Sequence, residues 1–199
     1  MTLKRLFDLI ASTSALVILA PMLLFIAIAV RCDSRGPALF RQVRVGRGGR
    51  PFRILKFRTM IHEAGFARSD IAQQGDTRVT RLGRFLRRTK LDELPQLFNV
   101  ATGEMSLVGP RPELPEFVAL YPDEAAREIL SIRPGVTDLA SLEFYDEAKL
   151  LDGRDTARIY NEEILPRKLS LQRRYVQEQS MALDIGIIFR TLLKIVRLP

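Results

Sequence analysis

Two adjacent acidic residues, Asp92 and Glu93, carry the strongest sign of chemistry in this chain of 199 residues. Directly before them lie three cations: Arg87, Arg88 and Lys90. Pro95 is tolerated only in a first helical turn, which predicts that the acidic pair opens a helix ending near Gly103. A helix N-terminus favours an ionised carboxylate and accepts a phosphate beside it. This setting suits a nucleophilic or metal-binding acid that meets an anionic substrate.

A structural interpretation of the same pair is also open. Asp is a favoured N-cap, and such a cap stabilises a helix by about 1 kcal/mol. The side chains at adjacent helical positions do not face the same way, so we expect different roles for Asp92 and Glu93. From these residues alone, capping and catalysis both remain as interpretations.

Arg111 is a second candidate, because Pro110 and Pro112 flank it and restrict its backbone. A guanidinium on a rigid loop suits bidentate binding of a phosphate. An exposed arginine in a structural turn is the alternative interpretation.

The composition restricts the partners of these residues. The formal net charge of +8 favours an anionic partner, which is nucleic acid, an anionic membrane surface or a phosphorylated substrate. The single cysteine, Cys32, excludes an intramolecular disulfide framework, and the single histidine, His62, argues against a histidine-based metal site or triad. The length suffices for one domain with a hydrophobic core.

Residues 9–30 form an apolar stretch without a charge, long enough to be a membrane helix. Pro21 lies in its middle and predicts a kink. Basic residues flank both ends, and such residues mark the cytoplasmic side. The pattern therefore predicts a re-entrant segment that breaks at Pro21 and returns. A kinked span with the N-terminus outside is the alternative.

The remaining chain predicts an α+β fold that is mostly helical. Residues 38–45 and 51–60 alternate around the sequence GRGGR, which predicts a β-hairpin. Residues 81–88 and 181–198 are expected to be interfacial amphipathic helices, with nucleic-acid binding and a core helix as their respective alternatives. Further helices are expected in three stretches: 61–75 in part, 121–132 and 157–179. Two regions result: residues 1–35 as a membrane helix-break-helix, and residues 36–199 as a catalytic domain at the membrane surface.

Five ordered motifs give the chain a resemblance to a known family. They are KRLFD at 4–8, KFRTM at 56–60, LGRFLRRTKLDELPQLFNV at 82–100, GEMSLVGPRP at 103–112 and RPGVT at 133–137. With these motifs the chain resembles the bacterial sugar transferase family, the small monotopic phosphoglycosyl transferases. The resemblance covers essentially the whole chain.

The resemblance implies an enzyme that moves sugar-1-phosphate from a UDP-sugar to polyprenyl (undecaprenyl) phosphate, releases UMP and initiates glycan assembly. It implies Asp92 as the nucleophile that forms an aspartyl-phosphosugar intermediate, and Mg²⁺ bound by Asp92 and Glu93. Four residues are then expected to bind substrate phosphate: Arg111, Arg87, Lys56 and Arg58. The expected location is the cytoplasmic face of the bacterial inner membrane.

Membrane lipid is a further expected partner, nucleic acid is not, and the sequence leaves a homo-oligomer open. The competing hypothesis is a non-enzymatic, membrane-anchored basic protein that binds anionic lipid or nucleic acid.

The chain also departs from the family pattern. Ala20-Pro21 replaces the usual Ser-Pro pair, and Asp138 follows Thr137 where many relatives have glycine, in a region expected to influence the choice of sugar. The chain is expected to be the small catalytic form of the family.

Overall fold

The computed structural model describes residues 2–61, 76–144 and 156–196, and this part of the protein is mostly helical. The helices are α1 (Leu3–Asp33), α2 (Arg81–Arg88), α3 (Gln96–Thr102), α4 (Pro115–Val118), α5 (Asp123–Ile129), α6 (Leu139–Glu143), α7 (Thr156–Ile159), α8 (Leu165–Glu178) and α9 (Met181–Val196). A π-helical turn, Tyr160–Ile164, joins α7 to α8. The helix expected within 61–75 falls almost entirely outside the described residues.

The predicted β-hairpin is present. Strands β1 (Leu39–Val45) and β2 (Pro51–Phe57) pair antiparallel, with Leu39 opposite Phe57 and Val45 opposite Pro51. The glycine-rich sequence forms the turn, and Gly48 has a φ of 68° that favours glycine. Strand β2 ends earlier than the alternating pattern predicted.

A second, parallel pair was not predicted. Strands β3 (Ser106–Val108) and β4 (Gly135–Thr137) bring the GEMSLVGPRP and RPGVT motifs together. A Cβ atom at Gly135 would lie 2.1 Å from the backbone nitrogen of Gly109. Only glycine therefore allows this close approach.

Helix α1 keeps a helical backbone through Pro21, so the expected non-helical break is not seen as an interruption of the helix. By length and composition, α1 is the one helix in the described part of the chain able to cross a membrane. Its most apolar window has a mean hydropathy of 2.5, yet only 17% of that window is buried in the protein. A core helix would be mostly buried. The exposed apolar side chains include Ile10, Val17, Ile18 and Phe25.

Both ends of α1 are attached to the rest of the protein. Near its start, Arg5 donates to the carbonyl oxygens of Val100 and Ala101 at 2.6 and 2.8 Å. Asp8 is buried and accepts hydrogen bonds from the Ser106 hydroxyl and the Leu107 backbone. Near its end, Ile26 and Val30 pack with Phe57 and Leu86 in one apolar cluster.

The C-terminal helices complete the core. Helices α5 and α8 contribute to the largest apolar cluster of the described residues. It is formed by Tyr121, Ala125, Ile129, Tyr160, Ile164, Leu165 and Leu169. The predicted helix at 181–198 is present as α9. It buries Ile187 against Val108 and Tyr175, while Ile185, Phe189 and Leu192 are exposed. Its buried Asp184 accepts hydrogen bonds from Lys4 and Tyr175, which ties α9 to α1.

Candidate active site

The acidic pair lies at the junction between α2 and α3. Asp92 and Glu93 sit on a 3₁₀ turn, Leu91–Glu93, rather than inside the first turn of α3. Lys90 begins this turn with a φ of 57°, a left-handed conformation that is uncommon for a residue with a side chain. Leu94 and Pro95 continue in helical conformation into α3, which ends at Gly103 as predicted.

Glu93 is the centre of an ion cluster. Lys56 from β2 donates to its Oε1 at 2.7 Å, and Arg111 donates to Oε1 at 2.6 Å and to Oε2 at 3.3 Å. Burial alone would raise the pKa of Glu93, but the charges of Arg111 and Lys56 outweigh it and hold that pKa well below its usual value. Glu93 is therefore ionised, and both of its oxygens are engaged.

Asp92 has the opposite environment. Its side chain is buried, and Oδ1 has no hydrogen-bond partner among the described residues. Burial, followed by the negative charge of Glu93, raises the pKa of Asp92. Lys56, Lys90 and Arg87 oppose this shift but do not cancel it. A desolvated carboxylate with an unengaged oxygen is more basic, and so more nucleophilic, than an exposed one.

Arg87 lies beside this pair. Its Nε donates to the Thr59 hydroxyl at 2.8 Å. Burial lowers the pKa of Arg87, and the charge of Asp92 partly restores it. The structure thus brings together Asp92, Glu93, Lys56, Arg87 and Arg111, although their contact with substrate stays a prediction.

Arg58 has a different position. Its guanidinium donates to the carbonyl oxygens of Pro37, Arg35 and Ser34 at 2.7–2.8 Å, and to that of Val30 at 3.2 Å. It therefore satisfies exposed carbonyl groups at and beyond the C-terminus of α1. The structure gives Arg58 an anchoring role there, away from Glu93, and its predicted phosphate contact remains untested.

Asp138 supports the Arg111 loop, and this contact was not predicted from the sequence. Its Oδ2 accepts from the backbone N–H of Arg111 at 3.2 Å, and its Oδ1 caps α6 through the N–H of Ser141 at 2.6 Å. The side chain is fully buried, with 0% exposed. Asp138 therefore connects the Arg111 loop to the start of α6 and to Gln172 of α8.

Two amide side chains of α3 were also missed. Asn99 accepts from the N–H of Leu55 and donates to the carbonyl of Arg53, which fixes α3 to β2. Gln96 is 1% exposed, and neither polar atom of its side chain has a partner within the described residues. Glu93, Gln96 and Asn99 follow each other at three-residue spacing, which places them on one side of this tight turn and helix. This three-residue spacing after Glu93 is the sequence signal from which Gln96 and Asn99 could have been predicted to lie on the same side as Glu93.

The chain is similar to proteins of known name. The family described as bacterial sugar transferase matches residues 1–198. A UDP-glucose:undecaprenyl-phosphate glucose-1-phosphate transferase of Caulobacter vibrioides is 42% identical over 192 residues, which cover 94% of this chain and 67% of that protein. An exopolysaccharide production protein of Rhizobium leguminosarum bv. phaseoli is 38% identical over 200 residues, covering 96% of this chain and 94% of the relative.

Other relatives are considerably longer than this chain. A UDP-N-acetylgalactosamine-undecaprenyl-phosphate N-acetylgalactosaminephosphotransferase of Aeromonas hydrophila is 39% identical over 196 residues. These residues cover 96% of this chain but only 43% of the Aeromonas protein. The names of the relatives differ in the sugar while the identities are similar, so overall identity does not select a sugar.

Proposed function

Because this chain belongs to the bacterial sugar transferase family, we propose that it transfers sugar-1-phosphate from a UDP-sugar to undecaprenyl phosphate. The products are UMP and a lipid-linked sugar diphosphate, and the reaction begins the assembly of a glycan. The names of the relatives support this donor and acceptor class. The sugar of the UDP-sugar donor is left open.

One observation carries the assignment of roles: the two neighbouring carboxylates differ in what they contact. Glu93 accepts from Lys56 and from both terminal nitrogens of Arg111, so it holds cations in place. Asp92 is buried near Lys56, Lys90 and Arg87 and keeps an oxygen without a partner among the described residues. This contrast favours Asp92 as the group that reacts and Glu93 as the group that positions.

The proposed reaction has two displacements. Asp92 attacks the β-phosphorus of the UDP-sugar, the bond from that phosphorus to the bridging oxygen breaks, and UMP leaves. A phosphate oxygen of the lipid then attacks the same phosphorus and releases the Asp92 carboxylate. Arg111 and Lys56, held by Glu93, stabilise negative charge on the transferring phosphate. Arg87, whose charge interacts with that of Asp92, is proposed to do the same.

The site is compatible with a magnesium ion. No group of three or more His, Cys, Asp or Glu side chains suited to a metal occurs in the described residues. Mg²⁺, however, is commonly held by one or two carboxylates together with substrate phosphates. The unengaged oxygen of Asp92 fits this mode, with Glu93 beside it. When bound, the ion would neutralise charge on the diphosphate.

We further propose that α1 is re-entrant and that the site faces the cytoplasm at the inner membrane. A straight helix would separate residues 5 and 30 by about 37 Å. A chain of contacts joins the two ends of α1. Arg5 contacts Val100 of α3, and the neighbouring Asn99 accepts a hydrogen bond from Leu55 of β2. Arg58, three residues after Leu55, donates to Val30 near the end of α1. These links attach both ends of α1 to one side of the protein, an arrangement that a bend in α1 would accommodate, and Pro21 would supply its physical cause.

The test combines product release with detection of the intermediate. Purified protein with Mg²⁺ and a panel of UDP-sugars, including UDP-glucose and UDP-N-acetylgalactosamine, should release UMP when undecaprenyl phosphate is added. Without the lipid, intact-protein mass spectrometry should detect a mass increase of one phosphosugar of the active donor. Asp92→Asn should abolish both signals, whereas the control Glu143→Gln, in an exposed ion pair with Arg167, should preserve them.

Each contrary outcome points to a different error. A fully active Asp92→Asn variant would refute Asp92 as the nucleophile. UMP release without any adduct, even after rapid quenching, would favour direct attack by the lipid phosphate. No UMP from folded protein with any donor would favour the non-enzymatic hypothesis, for which salt-sensitive binding of anionic lipid or nucleic acid is the next measurement.

A further inference from the structure

A basic groove lies at the turn end of the β-hairpin, away from the acidic pair. Its volume is about 570 Å³. The hairpin turn, the C-terminal end of α3 and the start of the RPGVT motif line it, with three arginines: Arg47, Arg50 and Arg133. Pro51 of β2 borders the groove, while Lys56 on the same strand contacts Glu93. Five residues of extended strand place these points about 16 Å apart.

Two of the arginines are held in a way that leaves their terminal nitrogens available. The Nε of Arg47 donates to the carbonyl of Ser131 at 3.0 Å, and the Nε of Arg133 donates to the carbonyl of Gly103 at 2.8 Å. Neither forms an ion pair with a carboxylate of the described residues. Anchoring through Nε presents the two terminal nitrogens, which suit two oxygens of a phosphate.

The positive charges are concentrated enough to affect one another. Burial, and then the charges of Arg5 and Arg47, lower the pKa of Arg133. The carboxylate that lines the groove is Glu104, and its Oε2 accepts from Asn99 and Thr102. Three guanidinium groups therefore face one carboxylate, an arrangement that an anion would stabilise.

The groove also borders the start of the membrane segment. A Cβ atom on Gly103 would lie 3.1 Å from a terminal nitrogen of Arg5, so the lining of the groove touches the first turns of α1. Leu6 and Ile10, on the following turns of α1, are exposed apolar side chains. An anion in this groove would thus lie beside a lipid-facing helix.

We propose that this groove binds the phosphate of an anionic phospholipid headgroup at the membrane surface. The proposal rests on the membrane placement of α1 given above but not on catalysis. Arginines near the membrane surface attract anionic lipid, and the exposed apolar side chains of α1 beside them can contact its acyl chains. The site would fix the level of the hairpin turn relative to the bilayer.

The test measures binding of soluble, short-chain lipids to the full chain in a neutral detergent. By titration calorimetry, dihexanoyl-phosphatidylglycerol should bind, and its affinity should fall about tenfold in Arg47→Gln/Arg50→Gln, because two charge-assisted contacts are lost. The control Arg158→Gln/Arg174→Gln removes two exposed arginines, each paired with a glutamate four residues further along the chain, and should bind as the unaltered protein does. Dihexanoyl-phosphatidylcholine should bind at least about tenfold more weakly, since its phosphate charge is balanced.

Other results would overturn the proposal. Inorganic phosphate binding as tightly as the anionic lipid, and competing with it, would identify a site for free phosphate. Equal affinity for both lipids, or equal losses in the two double variants, would identify general adsorption. Because the titration needs no turnover, inactivity toward every UDP-sugar would leave its outcome unaffected. Equally, an active enzyme without lipid binding would refute the groove alone.

Discussion

Replacing Glu93 by Gln should lower the unfolding temperature, whereas replacing Asp92 by Asn should leave it unchanged or raise it. The two residues are neighbours of similar chemistry, but their contacts differ. The Gln variant leaves Arg111 and Lys56 without their shared carboxylate. The Asn variant removes a buried charge whose pKa burial has raised. A reacting group in such an environment destabilises the fold that holds it.

The magnitude follows from burial. Removing one partner of a fully buried ion pair costs about 3–5 kcal/mol. Here Glu93 is 12% exposed, but Lys56 is 20% and Arg111 33% exposed, so water can solvate the cations that remain. We therefore expect a loss of about 2 kcal/mol, below the range for fully buried pairs and above that for exposed ones. For a chain of this length that corresponds to an unfolding temperature about 4–8 °C lower.

The pH dependence has opposite signs for the two acids. The pKa of Glu93 is lowered by folding, so its stabilisation is present above the pKa of the unfolded chain and is lost as the pH falls through the folded value. The pKa of Asp92 is raised, so ionisation of Asp92 destabilises the fold as the pH rises from the unfolded to the folded value. The difference between the two variants should therefore be largest near neutral pH.

Thermal unfolding in one detergent at pH 7, followed by circular dichroism, is a suitable assay. Glu143→Gln removes a carboxylate from an ion pair whose side chains are 41% and 58% exposed, and it should change stability by less than about 1 kcal/mol. Equal losses in the Glu93 and Asp92 variants would refute the division into a positioning and a reacting carboxylate. A Glu93 variant as stable as the unaltered protein would refute the stabilising role of the ion cluster.

Three further predictions concern activity and stability. The kcat/KM for UMP release should fall as the pH is lowered through the raised pKa of Asp92. A kcat/KM that stays constant down to the ordinary pKa of an exposed aspartate would contradict this. Arg58→Lys should destabilise the fold by about 2 kcal/mol in thermal unfolding, because lysine cannot reach the same carbonyl oxygens, whereas Arg31→Lys, at an exposed position, should not. Asp138→Gly should lower kcat about tenfold by freeing the Arg111 loop. Asp138→Asn still offers an acceptor and should have a kcat between those of the Gly variant and the unaltered protein. A Gly variant with the kcat of the unaltered protein would exclude this supporting role of Asp138.

Local patterns predicted the local elements. The alternation around GRGGR predicted the hairpin, the amphipathic pattern of residues 81–88 predicted α2, and Gly103 predicted the end of α3. These features depend on neighbouring residues, which is why the sequence contains enough information to predict them.

Features that depend on distant contacts were missed. Strands β3 and β4 have three residues each, too few for a periodic signal, and they are paired by the close approach of Gly109 and Gly135. Arg58 follows Lys56 by two residues and was predicted to bind phosphate, a contact that stays a prediction. Its hydrogen bonds near the end of α1 depend on how that end packs against β2, which no local pattern encodes.

The candidate site was predicted in outline. The residue types and motifs identified Asp92, Glu93, Lys56, Arg87 and Arg111, and the structure brings these five together. Their unequal engagement was not predictable, because it depends on which carboxylate the distant Arg111 loop reaches. The left-handed backbone of Lys90 and the support from Asp138 were missed for the same reason.

The short distance along the chain between Lys56 and Arg58 has a mechanical consequence. Lys56 contacts Glu93, and Arg58, two residues later, holds the end of α1. Two residues of extended chain span about 7 Å, and this length cannot stretch. With α1 embedded as proposed, the end of β2 would act as a spacer of fixed length that sets the height of the proposed phosphate-transfer site above the lipid. The proposed polyprenyl acceptor would then need only to bring its phosphate to that height, while its hydrocarbon tail stays in the bilayer.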